Sequence, residues 1–306
     1  MKICYVPWKP TGATIPLLNE VNKIVDHYLS NRLALTLRQL YYRLVATGIL
    51  EENNIRQYKK LQRIVNDARL GGLLDWDAIE DRGRHVHSHS SWTDPQAILQ
   101  SAADSFKLPL WDDQPKHLEV WVEKDALLGV MQRACERWRV SYTSSRGNTS
   151  QSEAYVAARR FKRYARDGKQ CVILHMADHD PTGVDMTRDL QDRFRMFDAP
   201  VTVQRLALTY EQVLERNPPP QFAKETDSRT AGYVAQFGDE CWELDAIEPL
   251  EMVELVADAI KGHIDLDLWS EGLKRERDEA APLYKIAANH EAVFDFVNNL
   301  NQDEEE

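Results

Sequence analysis

At 306 residues the chain is long enough for two domains and too long for one small module. Hydrophobic residues make up 43% and charged residues 28%, an ordinary globular mix that excludes global disorder and fibrous repeats. No apolar run approaches the roughly 18 residues of a membrane span, and MKICYVPWKP lacks the apolar stretch of a signal peptide, so a soluble intracellular protein with no membrane partner is expected. Cys4, Cys135, Cys171 and Cys241 are scattered without a CxxC pair, which excludes a disulfide framework and a zinc ribbon. The net charge of −11 is unevenly spread: residues 1–110 carry 14 basic against 11 acidic residues, and the acid lies beyond them. A polyanion partner therefore remains open for the N-terminal third.

Taken in chain order, residues 14–30 place Ile15, Leu18, Val21, Ile24, Val25 and Tyr28 at helical spacing. Thr36 is the expected N-cap of a second helix, LRQLYYRLVATG, which Gly48 ends. A third helix, IRQYKKLQRIVNDARL, stops at Gly71-Gly72 and carries Arg56, Lys59, Lys60, Arg63 and Arg69 against one acid, Asp67. The following DWDAIEDRGRHVHSHSSW alternates around Arg82-Gly83-Arg84 as a short hairpin does. Two helices, a basic helix and a wing form a winged helix-turn-helix plan, with the basic residues, Arg82 and Arg84 included, directed at duplex DNA. His85, His87 and His89 read as part of that wing and not as a zinc set, because no cysteine or acid completes one.

Pro95, Pro109 and WDDQP at 111–115 mark a connector, and the texture changes near residue 116. LEVWV (118–122), VSYTS, CVILHMA (171–177) and VTVQRLAL (201–208) are short apolar runs separated by helical patterns, which predicts an α/β region with a parallel sheet covered on both faces. The expected division is 1–110, 116–208 and a C-terminal α+β extension, 209–306, ending in an acidic tail.

Acids stand where two of these strands end. VWVEKDA brings the first strand to Glu123, and ILHMADHDPTG ends the third at Asp178 and Asp180, which share a face because they are two apart in extended chain. Ligands of α/β sheets gather at the carboxyl ends of strands. Converging carboxylates repel unless a cation neutralises them, and their hard oxygens suit Mg²⁺, with Mn²⁺ as a substitute. A lone DxD is more often a turn or helix cap; the second strand-terminal acid 55 residues earlier makes the joint pattern more specific. Arg146 in SSRGNTSQSE reads equally as a phosphate contact before a helix or as part of a plain helix start. Trp242 and Glu243 in WELDA read as a half-buried strand, with Glu243 pairing a buried base. On helical geometry Tyr41 joins the apolar stripe and Tyr42 faces a polar surface beside Arg38; by itself Tyr42 reads as a packing residue.

VEKDA and ADHDPTG resemble the Toprim fold, and within it the topoisomerase VI A subunit and its meiotic double-strand-break relatives, the type IIB topoisomerase family. TLRQLYY, RLALTYEQV and CWELDAI resemble flanking segments of the same family, so the likeness covers roughly residues 30–250. It implies a winged helix followed by a Toprim domain, with Tyr42 as the nucleophile assisted by Arg38, and Glu123, Asp178 and Asp180 as ligands of Mg²⁺. It further implies double-stranded DNA as substrate, a homodimer whose tyrosine and metal site come from different protomers, and a separate GHKL-type ATPase subunit for any strand passage, since this chain has no such domain. A cytoplasmic location, on the nucleoid in a prokaryote, would follow. This chain has Gln39 where the family pattern usually carries an acid, and it is shorter than a typical A subunit. Two rivals are a Toprim nuclease that uses metal-activated water, as in defence-type or mobile-element relatives, and a non-catalytic DNA-binding subunit.

Overall fold

The computed structural model describes residues 1–80, 89–145, 147, 149–222 and 229–300. The chain forms two compact units, Met1–Arg84 with His117–His263, and His85–Lys116 with Ile264–Glu306. This division differs from the three consecutive segments expected from sequence.

The first unit begins with helices α1 (Ile15–Ser30), α2 (Leu37–Ala46) and α3 (Ile55–Leu70). Thr36 and Gln39 form a capping box at α2: the Gln39 amide N–H donates to Thr36 Oγ1 at 3.3 Å and the Thr36 amide N–H donates to Gln39 Oε1 at 2.8 Å. A glutamine serves this position as well as an acid does, which gives Gln39 a structural task. Apolar residues at three- and four-residue steps close the three helices on one core, in which Val21, Val25, Leu40, Leu44, Leu61 and Val65 are buried.

That unit continues into a four-stranded parallel sheet, β1 (Lys116–Val122), β2 (Ser141–Ser144), β3 (Gln170–Met176) and β4 (Val201–Ala207), in the order β2-β1-β3-β4. The intervening helices are α5 (Leu128–Glu136), α6 (Gln151–Arg166) and α7 (Pro181–Met196). With right-handed crossovers, a chain that steps outward to β2 and returns past β1 to β3 puts α5 on one face and α6 with α7 on the other. Trp121, Ile173 and Val201 pack on Ala157, Ala158, Phe161, Leu190 and Phe194 of α6 and α7. Alternate residues of the same strands, Val120, Val122, Leu174 and Met176, are buried as well. Both faces are therefore covered, as the continuous apolar runs require. Strand order reverses between β1 and β3, so the crevice beyond their carboxyl ends is the switch point where α/β sheets take ligands.

After β4 come α8 (Tyr210–Arg216), β5 (Gln221–Phe222), α9 (Thr230–Phe237), β6 (Glu240–Cys241) and α10 (Pro249–Lys261), with β5 and β6 antiparallel. The WELDA segment expected as a strand forms none: β6 ends before it, Trp242 makes an isolated bridge with His179, and Leu244–Ala246 is a 3₁₀ turn.

The second unit holds α4 (Pro95–Ser105), α11 (Leu266–Ala288) and α12 (His290–Leu300). The stretch expected as a connector is partly helical because Asp94 caps the Ala97 amide at 2.7 Å and Pro95 sits in the first turn, where its missing N–H costs nothing. Gln114 exchanges two hydrogen bonds with the Asp265 backbone, at 2.7 and 3.1 Å, and Glu276 accepts from the Leu108 amide at 2.8 Å. Among the described residues, no helix is long and apolar enough to cross a membrane.

Candidate functional site

Glu123 follows β1 directly, and its amide donates to Met176 O at 2.8 Å, which holds the β1 and β3 ends side by side. Asp178 and Asp180 follow β3. The Asp178 amide donates to Glu123 Oε2 at 3.0 Å, so the first two of the three expected acids touch. Asp180 caps α7 by accepting from the Gly183 amide at 2.6 Å. A Cβ on Gly183 would lie 2.2 Å from Asp178 O, so only glycine permits this close turn. His179, between the two acids, turns the opposite way, as alternation demands; its Nδ1 lies 2.8 Å from the Tyr233 hydroxyl among Tyr210, Phe237 and Trp242.

Arg205 of β4 grips this loop from beneath. It donates to Gly183 O at 2.7 Å, Ala177 O at 2.8 Å and Asp178 O at 2.6 Å, and burial lowers its guanidinium to about 10. Burial raises both the Glu123 and Asp178 carboxyls, Asp178 to about 7, and the negative charge of Asp180 pushes Glu123 the same way. Burial here thus favours the protonated carboxyls, against the opposing pull of Lys124 on both and of Arg205 on Glu123. Glu123, Asp178 and Asp180 stand just beyond the ends of two adjacent strands, and among the described residues no three His, Cys, Asp or Glu side chains are grouped so as to hold a metal ion.

A chain of charges leads from here to α2. The Lys124 ammonium lies 2.8 Å from Asp178 Oδ1, 2.8 Å from Asp245 Oδ2 and 3.2 Å from Glu243 Oε2. Asp178 Oδ1 also accepts from the Leu244 amide at 2.7 Å. Arg38 of α2 forms a two-pronged ion pair with Glu243, with its Nε 2.7 Å from Oε2. Gln221 of β5 donates to the Tyr42 hydroxyl and, at 3.2 Å, to Glu243 Oε1. Tyr42, Arg38, Glu243, Lys124, Asp178 and Glu123 are therefore linked contact by contact within one unit.

Tyr42 differs from the sequence expectation. It is 1% exposed and Tyr41 is 4% exposed, so both are buried. Tyr41 donates to Asn54 O at 3.1 Å, while β5 and the turn after β6 cover the face of α2 expected to be a polar surface. A cavity of about 410 Å³ opens beside Tyr42, lined in part by Arg38, Asn54, Tyr58 and Gln221. Burial first, then the Glu243 charge, raises the phenol above its ordinary value, against the opposing pull of Arg38. Arg38 is committed to Glu243, so among the described residues the phenol has no free cation at its side.

On α3, Arg56, Lys59, Lys60 and Arg63 are exposed and form no ion pair among the described residues. Arg69 is a correction: its guanidinium lies 4.6 Å from the Trp76 ring centroid and donates to Trp76 O at 2.8 Å, which makes it a structural group tying α3 to the following turn. Arg82, Arg84, Arg146, His85 and His87 lie outside the described residues, and with them the tip of the expected wing; His89 is exposed.

Sequence reasoning passes over Lys124, Arg205, Gln221 and Asp245. A lysine between two acids in VEKDA and an arginine inside the apolar strand VTVQRLAL are the available signals, since a charge in a buried strand needs a partner. No protein-family model, curated protein or solved structure matches this chain.

Proposed function

We propose that the protein is a Mg²⁺-dependent DNA-cleaving enzyme of the topoisomerase VI A type, with a winged helix-turn-helix that holds duplex DNA and a Toprim metal site. The observation that carries this reading is the placement of Glu123, Asp178 and Asp180 just beyond β1 and β3 at the switch point of a parallel sheet, with Asp178 linked to Tyr42 through Lys124, Glu243, Arg38 and Gln221. Glu123, Asp178 and Asp180 would hold the ion, which when bound neutralises charge on the phosphate that reacts. Arg205 fixes the loop that presents the two aspartates, and Lys124 holds Asp178 and Glu243 at set positions.

In the reaction, a bond forms between Tyr42 Oη and a backbone phosphorus while the bond from phosphorus to the 3′ oxygen breaks. The phenol proton leaves and the 3′ oxygen gains one, so the phosphodiester energy is kept in a 5′-phosphotyrosine ester. Two copies of the chain, each cutting one strand, would make a double-strand break; strand passage would require a separate GHKL-type ATPase subunit.

The burial of Tyr42 favours a second reading, a Toprim nuclease in which water attacks and Tyr42 is scaffold. Supercoiled DNA incubated with the protein and Mg²⁺ or Mn²⁺, stopped with detergent and run with and without protease, separates the two. Transesterification gives ends that enter the gel normally only after proteolysis; hydrolysis gives free ends in both lanes. No metal-dependent cutting would overturn both.

A further inference from the structure

The sixteen-residue helix α6 has the same charge pattern as α3. On α3 the free cations are Arg56, Lys59, Lys60 and Arg63; on α6 they are Arg159, Lys162, Arg163 and Arg166. Both sets follow i, i+3, i+4, i+7, which aligns four cations along one side of a helix. α3 belongs to the N-terminal helices, whereas α6 covers the sheet beside α7.

The α6 cations are unneutralised in a chain whose net charge is −11. None of the four makes an ion pair among the described residues, and the guanidinium of Arg163 is steadied 5.0 Å from the Tyr164 ring centroid. The neighbouring α7, also sixteen residues long, shows the usual alternative: Arg188 pairs with Asp185 and Asp192, Arg193 with Asp189, and Arg195 with Asp192. Arg160, on the inner side of α6, is spent on the buried Glu119 at 2.7 and 2.9 Å. The four outer cations line a groove of about 530 Å³ together with Val156 and Arg160.

We propose that this face of α6 is a second binding surface for duplex DNA, gripping one strand's phosphates independently of α3. Three of its four cations are arginines, whose planar fork matches phosphate oxygens. From Arg159 to Arg166 the helix rises about 10 Å, which spans about three phosphates of one strand at roughly 3.4 Å each. Val156 is the one apolar residue lining the groove, so the face lacks the apolar stripe with which a helix enters a lipid interface.

Fluorescence anisotropy with a labelled duplex, over a range of salt, tests this on the full chain. The variant R159A/K162A/R163A/R166A is compared with wild type and with R56A/K59A/K60A/R63A. Lys162 is half-buried and the other seven residues are exposed, and a circular dichroism melt confirms that each variant folds. Loss of the α6 set should lower the magnitude of the log-affinity against log-salt slope by roughly 0.9 per contact, and the affinity by on the order of 100-fold at about 0.15 M salt. Removing both sets should reduce binding further than removing either. Wild-type affinity and slope in the α6 variant would overturn the proposal. So would a variant that loses binding to anionic phosphatidylserine vesicles while keeping its DNA affinity. Because the readout is binding and not cutting, it stands or falls separately from the cleavage reading.

Discussion

The carboxylate end of the sheet and the tyrosine pocket on α2 are joined by one run of contacts, yet their charges are balanced in opposite ways. At the carboxylate end, Glu123 and Asp178 are held together while burial penalises their ionised forms, and Lys124 offsets Asp178 while also serving Glu243 and Asp245. In the tyrosine pocket the adjacent cation, Arg38, is already matched by Glu243, and the phenol is held protonated. At one end burial opposes ionisation of the acids, and the other is locked in a satisfied ion pair. On the proposed function the first would take up a cation, and the second would have to be unlocked before Tyr42 could attack, as by an incoming phosphate that competes with Glu243 for Arg38.

The largest expected effects fall on cleavage. Glu123→Gln, Asp178→Asn and Asp180→Asn should each reduce cutting at least about 10³-fold while leaving the fold and DNA binding in place, because each removes one hard ligand. Supercoiled-plasmid relaxation and linearisation assays measure this, and undiminished cutting by the double aspartate variant would break the comparison. Tyr42→Phe should bring cutting to background under transesterification, with Tyr41→Phe much milder. If Tyr42→Phe cuts like wild type, the pocket is scaffold and only the carboxylate end is chemical.

Stability distinguishes the two ends as well. Lys124→Met leaves three carboxylates facing one another without their ammonium and should cost about 3–5 kcal/mol in denaturant unfolding, since breaking a buried ion cluster strands its partners. Lys59, Lys60 and Arg63 replaced together by alanine should leave stability unchanged and flatten the salt dependence of DNA affinity by roughly 0.9 for each lost contact. An unchanged slope would remove α3 from the DNA surface.

The smallest effect concerns pH. Burial raises the folded-state Asp178 carboxyl to about 7, above its unfolded value, so the folded protein keeps a proton that the unfolded chain gives up. Its contribution is present at low pH and is lost as pH rises from about 4 through 7. The buried His175 and His179, lowered to about 3 and about 4, act in the opposite sense, since they gain stability as pH rises toward about 6.5. The difference in Tm between wild type and Asp178→Asn, measured in EDTA, isolates the carboxyl: wild type should lose ground to the variant between about pH 4 and pH 7. Added Mg²⁺ should close that gap at the alkaline end.

Much of this is legible in the sequence because it is local. The four strands, the helices between them and the acids at their ends follow from apolar runs and spacing, and Thr36 marks the start of α2. The remainder depends on residues far apart in the chain. Arg38 meets Glu243 205 positions away, Lys124 meets Asp245 across 121, and Tyr42 is covered by Gln221 across 179. Helical periodicity gives the direction in which Tyr42 points but not what packs over it. Arg69 reads as a free cation for the same reason, since nothing in helical spacing brings the Trp76 ring beneath it.

Glu123, Asp178 and Asp180 are proposed to form a divalent-cation site. Titration with Mn²⁺, followed by electron paramagnetic resonance of the free ion, tests it without DNA or turnover. Wild type should bind Mn²⁺ in competition with Mg²⁺, and Asp178→Asn/Asp180→Asn should lose that binding while keeping its fold. No saturable binding to wild type, or equal binding to the double variant, would contradict the account.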